Sequence, residues 1–332
     1  WYETKFVTAE HGETSLLLAC GSGHLKVVKY LLQFDEEIEQ HSNKIGETTI
    51  VDNPLECFVK VDAKVNRPTE NGGTPLLIAS EMGHEKVVEF LVSVGAEINR
   101  PMNDGFTPLL IASQNGHLKV VEYLRTVGAE INRANKEGGT PLFIASQMGH
   151  EKVVQYLATA GAELNCALKE GVTPLYIASE RGHENIVEYL ATIGAQINCA
   201  TKEGATPLHV ASQNGHEKVV EYLATVGAEI NRANKNGATP LYVASQNGHQ
   251  KVVEYLATVG AEINRATKEG ATPLYIASQM GHEKIVELLA TVGAEINRAM
   301  DDSSTPLYIA SQMGHEKVVE YLATAGAEIN RA

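Results

Sequence analysis

A Thr-Pro pair returns at Thr74, Thr107, Thr140, Thr173, Thr206, Thr239, Thr272 and Thr305, each 33 residues after the last, with no insertion. A fixed period of this length says that each copy is one supersecondary unit and that the fold is a stack of such units. Residues 69–332 divide into eight regular copies. Gly-His keeps the same phase, from Gly83-His84 and Gly116-His117 to Gly314-His315.

The copy from Asn135 to Ala167 shows the local logic. Thr140 is placed to cap a helix, and Pro141 occupies the first turn, where its missing N–H forfeits no helical bond. Leu142, Ile144 and Ala145 form an apolar stripe, and Gly149 ends the run after about two turns because it accepts positive φ. A second helix carries Val153, Val154, Tyr156 and Leu157 at helical spacing and stops at Gly161. The stretch after Ala162, with its Leu-Asn and Lys-x-Gly elements, predicts an extended excursion and a β-turn into the next copy. Helices this short are unstable alone, so stacking is obligatory and the expected product is an elongated solenoid held by nearest-neighbour contacts.

With Thr-Pro-Leu, Ala-Ser, Gly-His, Val-Val-x-Tyr-Leu and Gly-Ala-Glu-Ile-Asn at a 33-residue period, the chain resembles the ankyrin repeat over about its last four-fifths. Thr206-Pro207-Leu208-His209 reproduces the family tetrapeptide in full. Leu77, Leu110, Phe143, Tyr176, Tyr242, Tyr275 and Tyr308 stand at the His position elsewhere, where the family's His-centred hydrogen bonding is lost. The resemblance implies an all-α repeat fold: an ankyrin-type α-solenoid of stacked helix-turn-helix units linked by β-turn or hairpin excursions.

It also implies that partner proteins contact the concave side, at the turn tips and the exposed side of the first helix. Carried over by phase, the tips are Lys136, Glu137, Lys169, Glu170, Lys202, Glu203, Lys235 and Asn236. The helix ends are Gln114, Asn115, Gln147, Met148, Glu180, Arg181, Gln213, Asn214, Gln246, Asn247, Gln279 and Met280. The copy from Leu168 to Ala200 is the most divergent interior one, with Glu180-Arg181, Asn185 and Gln196 replacing the usual residues and Cys166 and Cys199 flanking it. Specificity is expected to centre there.

The N-terminal part is less regular. Thr14 to Ile38 reads as a copy, placed within a first repeat over 9–45 after an extension or preceding unit at 1–8. Residues 46–68 align as a degenerate, truncated repeat with a local seam, because only seventeen residues separate Thr48 from Val65 where twenty-four are usual. Near the other end, Ser303 takes the place of a turn glycine, and Val318, Val319, Tyr321 and Leu322 keep core phase with no polar cap after them. Further repeats or another domain are expected in the native chain.

Composition narrows the function classes. Lys+Arg 27 against Asp+Glu 41 gives −14, which repels a phosphate backbone and excludes a basic nucleic-acid module. Apolar runs break well short of the roughly 20 residues needed to span a bilayer. Cys20, Cys57, Cys166 and Cys199 lack the pairing of a zinc site or disulfide framework, which points to an intracellular, cytoplasmic setting. Cys166 and Cys199 lie one copy apart, beyond disulfide reach, and interrupt a row otherwise held by Arg100, Arg133, Arg232, Arg265, Arg298 and Arg331.

His24, His84, His117, His150, His183, His216, His249, His282 and His315 share one phase, and helices about 8–10 Å apart cannot bring them onto one zinc, so they are read as ties at the inter-helix turn. Lys119/Glu122, Lys218/Glu221 and Lys317/Glu320 are placed to pair along the second helix. No phosphate loop, nucleophile elbow or His-Glu-x-x-His occurs, so no enzyme activity, cofactor or metal is expected. The resulting reading is a non-enzymatic scaffold or adaptor for partner proteins. A structural spacer, or the regulatory ankyrin portion of a larger enzyme or channel, is the alternative.

Overall fold

The computed structural model describes residues 14–32 and 64–329. Among these every regular element is a helix, and two compact units are distinguished, 1–163 and 164–332. Each unit is an all-α repeat solenoid built from paired helices.

The first helix of a copy is set by its Thr. Thr140, Thr206 and Thr272 lie in extended backbone, and each side-chain oxygen accepts from the N–H three residues on, with Pro following at the first helical position. These helices, such as Pro141–Met148 and Pro207–Gln213, bury Leu and Ala on one side, while Ser146 and Ser245 donate their hydroxyls to the carbonyls of Leu142 and Leu241. A glycine ends the turn: Gly149 sits at φ 81°. The second helix, for example Glu151–Thr159 or Glu217–Thr225, buries two Val and a Leu and closes before Gly161 or Gly227, again at positive φ. The connection is a tight turn, in which Asn135 N–H donates to Gly139 O and Gly138 N–H to Asn135 O, both at 3.0 Å.

Within each unit first helices pack on first helices and second on second, so every joint repeats one geometry. The helix Ser15–Gly21 packs directly on Pro75–Glu81, and Asn66 bridges to Gly95 O and Glu97 N–H as its counterparts do one copy later. The expected segmentation into 1–8, 9–45 and 46–68, its seam included, falls largely on 1–13 and 33–63, outside the described residues.

The second-helix pairs differ from expectation. Lys119 does meet Glu122 at 2.7 Å, but Lys218 and Lys317 reach Glu184 and Glu283 of the preceding copy, both at 3.3 Å. A neighbouring helix lies within reach of a lysine stem, so an acid there competes with the one on the same helix.

Candidate functional site

Three polar groups that recur once per copy, a histidine, an asparagine and a tyrosine, are committed to the adjacent copy. His117, His150, His216, His249, His282 and His315 each donate Nε2–H to a carbonyl 36 residues earlier, at 2.8–3.1 Å. Their rings lie against the preceding copy's turn glycine: a Cβ on Gly215 would clash with His249 Nδ1. The tie expected within a turn is thus a tie between copies.

A second ladder has the same job and was not singled out from the sequence. Asn231 donates to Gly260 O at 3.0 Å and accepts from Glu262 N–H at 2.8 Å, and Asn99, Asn198, Asn264 and Asn297 repeat the pattern. Its signal was an amide recurring once per period, next in space to a glycine with no side chain to shield its carbonyl. Tyr123, Tyr156, Tyr222, Tyr255 and Tyr321 add a third ladder, each hydroxyl donating to a glutamate carbonyl 34 residues earlier.

His209 completes both halves of a capping box. Thr206 N–H donates to Nδ1 at 3.2 Å, Nε2–H donates to Ala238 O at 3.2 Å, and burial lowers the imidazole pKa to about 4. Where tyrosine stands instead the pattern changes. Tyr275 hydroxyl meets Ser304 Oγ at 3.0 Å, while burial and then Glu180 push Tyr176 up to about 12. Cys20, Cys166 and Cys199 are thiols.

The side chains of the first-helix end and the turn tip stand outside these ladders. In the first unit Asn115, Lys136, Glu137 and Met148 are exposed, with Gln114 and Gln147 half-buried. In the second, Lys169, Glu170, Arg181, Lys202, Glu203, Gln213, Asn214 and Asn247 are exposed, with Glu180 and Gln246 half-buried. The tips pair with one another: Lys202 Nζ is 3.6 Å from Glu170 and Lys235 Nζ 3.7 Å from Glu203, and Lys202 N–H and Lys235 N–H donate to the carbonyls of those same glutamates. Such exposed pairs add about 0–1 kcal/mol each. At the helix ends, Asn115 and Asn247 donate Nδ2–H to Ile111 O and Val243 O, while Glu180 O accepts from both Asn214 and His216.

The family described as ankyrin repeats, three copies, matches in overlapping segments from 2–102 through 259–332. The chain is an ankyrin-repeat protein. Ankyrin repeats mediate contacts between proteins, which makes this an interaction-repeat protein in general terms. The mouse protein named "Protein fem-1 homolog A-like" is 36% identical over 92 residues. That match covers 26% of this chain and 14% of that relative, so the chain spans a small part of its length. No described helix of the ankyrin stack is long and apolar enough to cross a membrane.

Proposed function

We propose that this chain is a non-enzymatic scaffold that binds partner proteins along the face made by its first-helix ends and turn tips. In the first unit this face comprises Gln114, Asn115, Lys136, Glu137, Gln147 and Met148. In the second it comprises Lys169, Glu170, Glu180, Arg181, Lys202, Glu203, Gln213, Asn214, Gln246 and Asn247. The observation that carries the reading is one of division: the histidine, asparagine and tyrosine ladders are committed to stacking, whereas the side chains of this face are largely exposed, and its helix ends change residue type at Met148 and at Glu180-Arg181. Variation among exposed residues on a rigid support is what distinguishes one partner from another.

In the second unit Lys202 pairs with Glu170 and Lys235 with Glu203, so these tip charges contribute register more than selectivity. In the second unit the row of helix ends carries charge in one copy, at Glu180 and Arg181. Specificity centres there, because a charge that meets no complement on a wrong partner is penalised.

The test is affinity purification with the full chain followed by titration of the recovered partner. A saturable, salt-tolerant complex is expected, with Glu180→Ala/Arg181→Ala weakening it by about tenfold or more. A partner indifferent to alanine at every helix end and tip sinks the reading. Length-dependent elasticity with no partner recovered would favour the spacer.

A further inference from the structure

In the second unit the joints between copies differ rung by rung. The joints that follow 168–200 and 201–233 each carry three outer rungs besides the histidine and asparagine ties. At the turn tips Lys202 meets Glu170 and Lys235 meets Glu203. On the second helices Lys218 meets Glu184 at 3.3 Å and Lys251 meets Glu217 at 3.1 Å. The hydroxyls of Tyr222 and Tyr255 donate to Glu188 O and Glu221 O, at 3.2 and 3.3 Å.

Among the described residues the next joint, between 234–266 and 267–299, has none of these three rungs, and a different residue removes each. Asn236 stands where an acid would face Lys268, Gln250 where an acid would face Lys284, and Leu288 where a phenol would reach Glu254 O. Neither amide can pair with a lysine as a carboxylate does, and leucine has no hydroxyl. The histidine tie is kept, but it is the longest of the four in this unit: His282 Nε2 lies 3.1 Å from Gln246 O, against 2.8–2.9 Å for His216, His249 and His315. The joint after it regains two rungs, Lys317 to Glu283 and Tyr321 to Glu287 O, and differs at the tip alone, where Asp301 takes the lysine's place.

The stability of stacked copies is a sum of intrinsic and nearest-neighbour terms, so rungs lost at one joint all subtract from the same coupling. An exposed ion pair or a single hydroxyl bond is small alone. Spread over three joints the losses would be slight everywhere, whereas gathered at one they single it out. What still holds this joint is the packing of Pro240–Asn247 on Pro273–Met280 and of Gln250–Thr258 on Glu283–Thr291, with the ties of His282 and Asn264. We propose that this joint is a hinge built into the second unit, at which the copies 234–266 and 267–299 uncouple before the two joints ahead of it do. Gln246 and Asn247 lie on one side of it and Gln279 and Met280 on the other, so its opening changes the candidate face between these two copies.

Hydrogen exchange on the full chain, read residue by residue and corrected for intrinsic rates, tests this through two amides per joint. Lys268 N–H donates to Asn236 O and Glu295 N–H to Asn264 Oδ1, as Lys202 and Glu229, then Lys235 and Glu262, do at the two joints ahead. Lys268 and Glu295 are expected to exchange about tenfold faster than these counterparts, since a hydroxyl bond and two exposed ion pairs together shift an opening equilibrium by about one decade. Asn236→Glu/Gln250→Glu/Leu288→Tyr, which installs residues the chain already uses at these phases, is expected to abolish the difference. The converse Glu203→Asn/Glu217→Gln/Tyr255→Leu is expected to speed Lys235 and Glu262 by about tenfold. None of these substitutions touches the Asn264 rung, so slowing at Glu295 reports the joint as a whole. Equal rates in the wild type, failure of either triple variant to respond, or a response confined to Lys268 each overturns the inference.

Discussion

At the scale of residues, the turn glycines divide into two kinds that look identical in sequence. Gly215 has φ 73° and faces the His249 ring, whereas Gly227 has φ 99° and open space around it. An added Cβ strains the backbone at both, by about 1–2 kcal/mol, but clashes at one. Gly215→Ala is expected to lower the urea midpoint by at least twice as much as Gly227→Ala; equal shifts would show that the ring contact is slack. His209 makes a pH prediction. Its pKa falls from 6.5 to about 4 on folding, so the unfolded chain binds the proton more readily between these values. The stability tied to neutral His209 is complete above about pH 6.5 and disappears as pH falls to about 4, on the order of 3 kcal/mol in all. His209→Tyr removes this dependence, and the Tm of wild type minus that of the variant is expected to fall across the window. An unchanged difference would refute the buried neutral imidazole. The Thr-Pro-Leu-His tetrapeptide made this residue legible, but its titration came from burial that no tetrapeptide encodes.

At the scale of elements, caps and stops were readable because they are local. Thr140, Pro141, Gly149 and Gly161 act through backbone conformations that depend on few neighbours, and the helices start and end at them. The partners of Asn231, Lys218 and Tyr222 were not readable, because each partner lies about one copy away and belongs to the stacking geometry. Asn231→Ala removes both bonds of one rung and is expected to destabilise the chain by about 1–2 kcal/mol, with faster hydrogen exchange at the Glu262 amide. Retained protection at Glu262 would show that the rung is dispensable. The turn in which Ser303 takes the place of a glycine keeps the left-handed conformation: Ser303 has φ 69°. Ser303→Gly is expected to add about 1 kcal/mol of stability, read as a rise in the thermal midpoint.

At the scale of the whole molecule, stability is local to joints. Each helix in a unit packs on its own copy and on the adjacent ones, so each unit behaves as a row of coupled copies. Deleting residues 234–266 removes one period inside the second unit and joins two equivalent phases. The product is expected to fold cooperatively with a somewhat lower midpoint, whereas a deletion three residues shorter is expected to lose cooperativity. Circular dichroism melts separate these outcomes, and equal tolerance of both deletions would mean that the phase is not enforced by the joints. The candidate face was legible only through resemblance. Its composition was plain, but mutual pairing of Lys202 with Glu170 and of Lys235 with Glu203 appears only when the tips are set side by side.

The amino-acid order alone determined the period, the helix pair within it and the places where each helix stops, since capping, proline placement and glycine φ act over a few residues. Tertiary structure alone decided which histidine meets which carbonyl, which lysine abandons its own helix, and which side chains are left facing water. Those outcomes depend on the offset between neighbouring copies, a distance set by packing of the helices against each other.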